Sequence, residues 1–106
     1  AAKAEERAVQ AKREAAFGQA ELEVLQASRM LNAARDRAQV ASDAATEAQV
    51  ALEQARARYR TGTSAITELL DVQAAATNAT LSELAARRDL LLANAALDLA
   101  YGVFDR

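Results

Sequence analysis

The chain of 106 residues contains thirty alanines, four aromatic residues, three glycines and no proline, which predicts an all-α fold with long uninterrupted helices. Its thirteen basic and fifteen acidic residues give a net charge of −2, and both signs are interspersed, which argues against a nucleic-acid partner. Cysteine and histidine are absent, which excludes disulfides, thiolate catalysis and the commonest metal ligand. We therefore expect no cofactor and no metal.

The first predicted element is a helix from about residue 3 to residue 60. Steps of three and four residues meet an apolar or aromatic side chain every time between residues 17 and 59. This period near 3.5 residues predicts a left-handed coiled-coil contact. The predicted seam consists of Phe17, Ala20, Val24, Ala27, Leu31, Ala34, Ala38, Ala41, Ala45, Ala48, Leu52, Ala55 and Tyr59.

A turn at residues 61–63 is predicted to end this helix. Gly62 suits the left-handed backbone conformation that closes a helix, and a hydroxyl of Thr63 or Ser64 is expected to cap the next helix. The arginines before the turn and the acids after it both complement the dipoles of the helices on which they lie.

The second predicted helix runs from about residue 64 to residue 101 and carries two adjacent apolar stripes. Its seam, which only Glu83 interrupts, consists of Ala65, Leu69, Val72, Ala76, Ala79, Glu83, Ala86, Leu90, Ala93, Leu97, Ala100 and Phe104. The second stripe consists of Ile66, Leu70, Ala74, Leu81, Leu84, Leu91 and Ala95. Two stripes on one helix predict neighbours on two sides. The predicted fold is a long antiparallel helical hairpin, one domain over residues 1–106.

The two predicted helices differ in length, at roughly 85 Å and roughly 55 Å for 1.5 Å per residue. Folding back at Gly62 brings Tyr101 level with Glu23, so about twenty N-terminal residues have no partner within the hairpin. They either fray or pack on another chain or on further sequence, and the apolar seam favours packing. No run of eighteen apolar residues occurs, which predicts no membrane-spanning helix.

Catalytic groups are scarce, and we expect no enzyme activity. Without histidine no base is available to activate a serine or threonine, and the only lysines are Lys3 and Lys12. The one pair of acids worth weighing is Glu68 and Asp71, whose i, i+3 spacing places them on one face of the helix. They are either solvated acids that complement the helix dipole or a cluster that faces a pore, and spacing alone leaves both interpretations open.

The residues around the turn match a family pattern, G-T-x-x-I-x-D/E-x-L-D-A/V-Q/T after a helix that ends in Ala and Tyr, with L-x-x-A-x-G near the end of the return helix. The matching residues are Ala55, Tyr59, Gly62, Thr63, Ile66, Glu68, Leu70, Asp71, Val72, Gln73, Leu97, Ala100 and Gly102. In these residues the chain resembles the C-terminal periplasmic hairpin of TolC-family outer-membrane factors.

This resemblance implies a segment of a trimeric α-helical barrel. Such hairpins line a periplasmic tunnel in homotrimeric channels of the Gram-negative outer membrane, which serve efflux pumps or type I secretion. The hairpin tips form the periplasmic entrance and dock on a periplasmic adaptor protein, which joins the channel to an inner-membrane pump.

Residue by residue, the resemblance implies that Glu68 and Asp71 belong to the acidic ring of the closed entrance, and that Gly62, Thr63 and Ser64 belong to the adaptor-docking tip. The chain departs from the pattern at two places. Glu68 replaces an aspartate of the best-known member, and Ser64 replaces an arginine that takes part in linkages at the entrance, so the resemblance does not carry that linkage over.

Two alternatives remain open at this point. The coiled-coil hairpin of a periplasmic adaptor has a similar composition and length, although its tip typically reads R-L-x-x-T. A purely structural or engineered helical hairpin would use the same turn with no further role.

Overall fold

The computed structural model describes the backbone of residues 2–104 and the side chains of residues 2–103. These residues form two helices, α1 (Ala2–Arg60) and α2 (Ile66–Phe104), and no strand occurs among them. The prediction of an all-α helical hairpin is confirmed. α2 begins two residues after the expected position 64, because residues 61–65 are all used by the turn.

Residues 34–91 form one compact unit, in which the two helices run antiparallel. Gln49 Nε2 of α1 donates a hydrogen bond of 3.5 Å to Thr80 Oγ1 of α2. Nearer the turn, Arg58 pairs with Glu68 across 3.1 Å. A later residue on α1 thus meets an earlier residue on α2, as an antiparallel register requires.

The core of this unit follows the predicted seam and is built mainly from alanine. Its buried side chains are Ala34, Ala45, Leu52, Ala55 and Ala76. The other seam positions from Ala38 to Leu90 are half-buried, apart from Tyr59 and Ala65, which are exposed. Both exceptions flank the turn: Tyr59 lies in the last turn of α1, and Ala65 precedes α2.

Glu83 occupies a seam position, as the sequence indicated, and its charge is compensated locally. Its side chain is 17% exposed and its Oε1 lies 3.2 Å from Nη2 of Arg87, one helical turn later. The long arginine side chain reaches solvent, so the pair lets a carboxylate stand at the edge of an apolar seam.

The second stripe of α2 lies on the surface of this unit. Leu81 is 59% exposed and Leu91 is 70% exposed. We call Leu70, Leu81, Leu84 and Leu91, which are all exposed, the outer stripe. The hairpin does not cover the outer stripe with its own residues.

The second compact unit comprises the described parts of Ala1–Ala33 and Leu92–Arg106. Ala27 and Leu31 are buried here, while Ala20 and Val24 of α1 and Ala93, Leu97 and Ala100 of α2 are half-buried. A shallow groove is lined by residues of both helices, among them Glu23 and Ala100, which agrees with the predicted register. Phe104, the last predicted seam position, lies outside the described side chains.

The N-terminal part of α1 is helical but exposed. Every residue from 2 to 19 is exposed, including Phe17 at 57%. The sequence predicted that this part of α1 packs on another chain or on further sequence rather than within the hairpin, and that stays a prediction.

Candidate functional site

The C-terminus of α1 is closed by a Schellman motif. Gly62 adopts φ = 80°, the left-handed conformation that the sequence predicted. The Thr63 N–H donates to the Arg58 carbonyl at 2.9 Å, and the Gly62 N–H donates to the Tyr59 carbonyl at 3.1 Å. These are the two hydrogen bonds that define the motif, and they satisfy carbonyls that the helix end would otherwise leave open.

Two threonine hydroxyls reinforce this closure. Thr61 Oγ1 and Thr63 Oγ1 each donate to the Arg58 carbonyl at 3.0 Å, and they lie 3.1 Å from each other. The Arg58 carbonyl therefore accepts hydrogen bonds from three donors, counting the Thr63 N–H. The segment from Arg58 to Thr63 is thus held by its own short-range contacts.

The predicted cap of α2 was wrong. The Thr63 hydroxyl bonds back to α1, and the Ser64 hydroxyl is buried without a hydrogen-bond partner among the described residues. The first turn of α2 is instead started by the Ala65 carbonyl, which accepts the N–H groups of Glu68 and Leu69 at 3.2 Å and 3.4 Å. The Ala65 carbonyl accepts these bonds while the Thr63 hydroxyl is bonded to the Arg58 carbonyl at the end of α1.

The three predicted docking residues do not share one environment. Gly62 and Thr63 are exposed, whereas Ser64 is half-buried. A Cβ atom added at Gly62 would meet nothing within 4 Å. The turn is therefore open to solvent around Gly62.

The two predicted gate acids both lie exposed in the first turns of α2. Glu68 Oε1 accepts a hydrogen bond of 3.1 Å from Arg58 Nη2, and the side chains of this pair are about half exposed. Asp71 forms no ion pair with any residue that the structure describes. The two acids therefore differ in their surroundings, since Glu68 has a cation beside it and Asp71 has none among the described residues.

Sequence reasoning missed the role of Arg58, which it treated only as a residue that complements the helix dipole. A signal was available: Arg58 and Glu68 are equally far from Thr63 along the chain. In a tight antiparallel hairpin, residues at equal distances from the turn come to lie opposite each other. Opposite charges at such positions indicate a pair across the hairpin.

The described residues include no group of three or more residues that could hold a metal ion. The site instead presents charged and hydroxyl side chains at an open tip.

Comparison with known proteins supplies the family. A family model described as outer membrane efflux protein matches residues 1–103. Neither a search of curated proteins nor a search of solved structures finds a match. The family match confirms the resemblance that the turn residues indicated, and it favours that interpretation over the adaptor hairpin and the engineered hairpin.

Members of this family are tunnel components of the outer membrane and periplasm of Gram-negative bacteria. They are homotrimeric, they interact with adaptor proteins, and their role is transport rather than catalysis. Neither helix, over its described residues, has an apolar stretch long enough to cross a membrane. With nearly its whole length matched, the chain belongs to the outer membrane efflux protein family.

Proposed function

We propose that residues 55–73 form the periplasmic entrance of an efflux or secretion channel, with Glu68 and Asp71 as its gate acids. The observation that carries this proposal is the position of the two acids. Both are exposed on the first turns of α2, directly after a turn that is held by its own hydrogen bonds.

Threefold symmetry would turn this face into a ring. In a homotrimer each acid is present three times around the channel axis. Carboxylates gathered at a narrow entrance attract cations and oppose anions. Their mutual repulsion also favours a wider ring, so the same charges that select ions would help the entrance to open once other contacts release it.

The tip itself suits docking on a periplasmic adaptor that links the channel to an inner-membrane pump. Gly62 and Thr63 are exposed, and the absence of a side chain at Gly62 lets a partner backbone approach closely. Ser64 is half-buried and completes the tip from inside. Because hydrogen bonds already order the turn, docking loses little conformational entropy there.

The helices on either side serve as a wall of the tunnel. Within residues 34–91 the inner seam is buried by the hairpin itself, whereas the outer stripe is left exposed. An apolar stripe of this kind is what a helix needs in order to pack against a further helix of a trimeric α-helical barrel.

The gate assignment is tested by removing both acids. We expect Glu68→Ala with Asp71→Ala, in the assembled channel in planar lipid bilayers, to raise single-channel conductance and to weaken block by Mg²⁺ about tenfold, because the ring loses its negative charge.

The matched control replaces two acids that are exposed far from the tip, Glu47→Ala with Asp98→Ala, which changes the net charge equally. The control channel should keep the wild-type block. Mg²⁺ block that stays the same in the Glu68 and Asp71 variant would contradict the gate assignment.

A further inference from the structure

The ion pair between Arg58 and Glu68 changes the charge that the tip presents. Arg58 Nη2 lies 3.1 Å from Glu68 Oε1, and the two side chains are 46% and 49% exposed. Asp71, one helical turn further along α2, has no such cation among the described residues. This face of the hairpin therefore carries one compensated acid and one uncompensated acid.

The turn holds Arg58 in the position from which it reaches Glu68. Its carbonyl accepts hydrogen bonds from the Thr63 N–H and from the hydroxyls of Thr61 and Thr63. The guanidinium group then spans from the last turn of α1 to the first turn of α2. Hydrogen bonds thus fix the backbone of Arg58, and its guanidinium group reaches Glu68.

A half-exposed pair of this type adds little to folding stability, because water and salt screen it. The pair matters more for the charge that the tip presents than for folding stability. A cation at hydrogen-bonding distance cancels most of the field of one carboxylate at any distance that is longer than their separation.

We propose that Arg58 is a positioning residue that neutralises Glu68 within each hairpin, so that Asp71 supplies the net negative charge which the entrance presents to permeating ions. This inference rests on the proposed gate function. It adds a regulator of that site, since the residue at position 58 then sets how strongly the entrance attracts cations.

One consequence concerns opening. The pair joins two residues of the same hairpin, so a movement that separates neighbouring hairpins leaves it intact. The charge balance at each tip is therefore the same in the closed and open entrance, and the selectivity due to Asp71 persists in both.

The experiment measures block by Mg²⁺ in the assembled channel for four variants, each checked for helicity by circular dichroism. Arg58→Gln releases the charge of Glu68 and should strengthen block about three- to tenfold. Arg58→Gln with Glu68→Gln removes both partners, leaves the net charge unchanged and should block like wild type. Asp71→Asn should weaken block about tenfold, as much as removal of both acids does.

Arg60→Gln is the matched control, because it removes the same charge near the turn but from another face of α1, where Arg60 has no ion pair with any described residue. We expect its block constant to change less than twofold. An equal strengthening of block by Arg58→Gln and Arg60→Gln would show a general charge effect and would overturn the inference.

The remaining outcomes separate the inference from the proposed function. Loss of block in the variant that lacks both Arg58 and Glu68 would show that Glu68 itself acts as a pore acid, which overturns the role of Arg58 and keeps the gate. If block is unchanged both in Asp71→Asn and in Glu68→Ala with Asp71→Ala, the proposed gate function and the inference about Arg58 are both overturned.

Discussion

The tip of the hairpin and the outer stripe of α2 differ in how many of their contacts the chain makes within itself. At the tip, the carbonyls that end α1 are bonded by the Gly62 and Thr63 N–H groups and by two threonine hydroxyls. Along the outer stripe, Leu81 and Leu91 remain more than half exposed. The helix-terminal carbonyls at the tip are therefore hydrogen-bonded within the turn, whereas the apolar side chains of the outer stripe are not covered by the hairpin.

A second contrast lies between the two stripes of α2. In the seam, Ala76 is 1% exposed, while the larger Leu91 of the outer stripe is 70% exposed. The most buried of the described positions of α2 is thus an alanine, whereas the four leucines of the outer stripe are all exposed. Alanine allows close helix contact but buries little apolar area, so the hairpin is only modestly stabilised by its own seam. The larger apolar side chains of the outer stripe are left exposed.

The largest expected effect breaks the seam. Leu52 is one of the few large buried side chains, and Leu52→Ala should lower the free energy of unfolding by about 2–3 kcal/mol through lost burial and a cavity. The measurement is urea unfolding of the 106-residue chain, followed by circular dichroism at low protein concentration.

Leu84→Ala is the matched control, because it makes the same chemical change in the exposed outer stripe. At low concentration it should alter the free energy of unfolding by less than about 0.5 kcal/mol. Equal losses in the two variants would contradict the division of α2 into a seam and an outer stripe.

An intermediate effect is expected at the tip. Gly62 has φ = 80°, and Gly62→Ala should lower the free energy of unfolding by about 1 kcal/mol because an L side chain is strained there. Gly18→Ala has the opposite expectation. Gly18 lies inside α1 with open space around an added Cβ, so alanine should stabilise the helix by up to about 1 kcal/mol. Thermal unfolding of the two variants checks both signs, and a Gly62→Ala variant that is as stable as the wild-type chain would refute this account of the turn.

The smallest effect on the hairpin itself should come from the outer stripe, although the effect on assembly should be large. Leu81→Glu with Leu91→Glu should change the unfolding of the dilute chain by less than about 0.5 kcal/mol. The wild-type chain should self-associate through the outer stripe as its concentration rises, and the variant should stay monomeric, because the added charges cannot be buried without partners. Size-exclusion chromatography with light scattering distinguishes the two, and a wild-type chain that is monomeric throughout would count against the outer stripe as a contact surface.

Much of the fold was predictable from periodicity. The seam of α1 from Ala20 to Ala55 and the seam of α2 from Leu69 to Ala100 are buried or half-buried throughout. The pattern failed at Tyr59, which is exposed, since periodicity shows which face of a helix is apolar but not how far another helix covers it. The gate acids and docking residues came from the family pattern, and the measurements of Mg²⁺ block test the role of the gate acids.

The tip shows where local rules are ambiguous. The hydroxyl of Thr63 can cap the helix before it or the helix after it, and only the geometry of the turn selects α1. The pair between Arg58 and Glu68 likewise depends on the register of the two helices. Their equal distances from Thr63 are a signal for such a pair, but spacing alone does not fix the register that brings the two side chains together.

The sequence by itself determined two long helices, a glycine turn and an apolar face on each helix, because helix propensity, a left-handed residue and heptad spacing are local properties. Only the tertiary structure decided that Ala76 is buried while the leucines of the outer stripe remain exposed, and that Arg58 compensates Glu68 but not Asp71. Those outcomes depend on which side chains face each other across the hairpin, and that is set by helix register and by the distance between the helices.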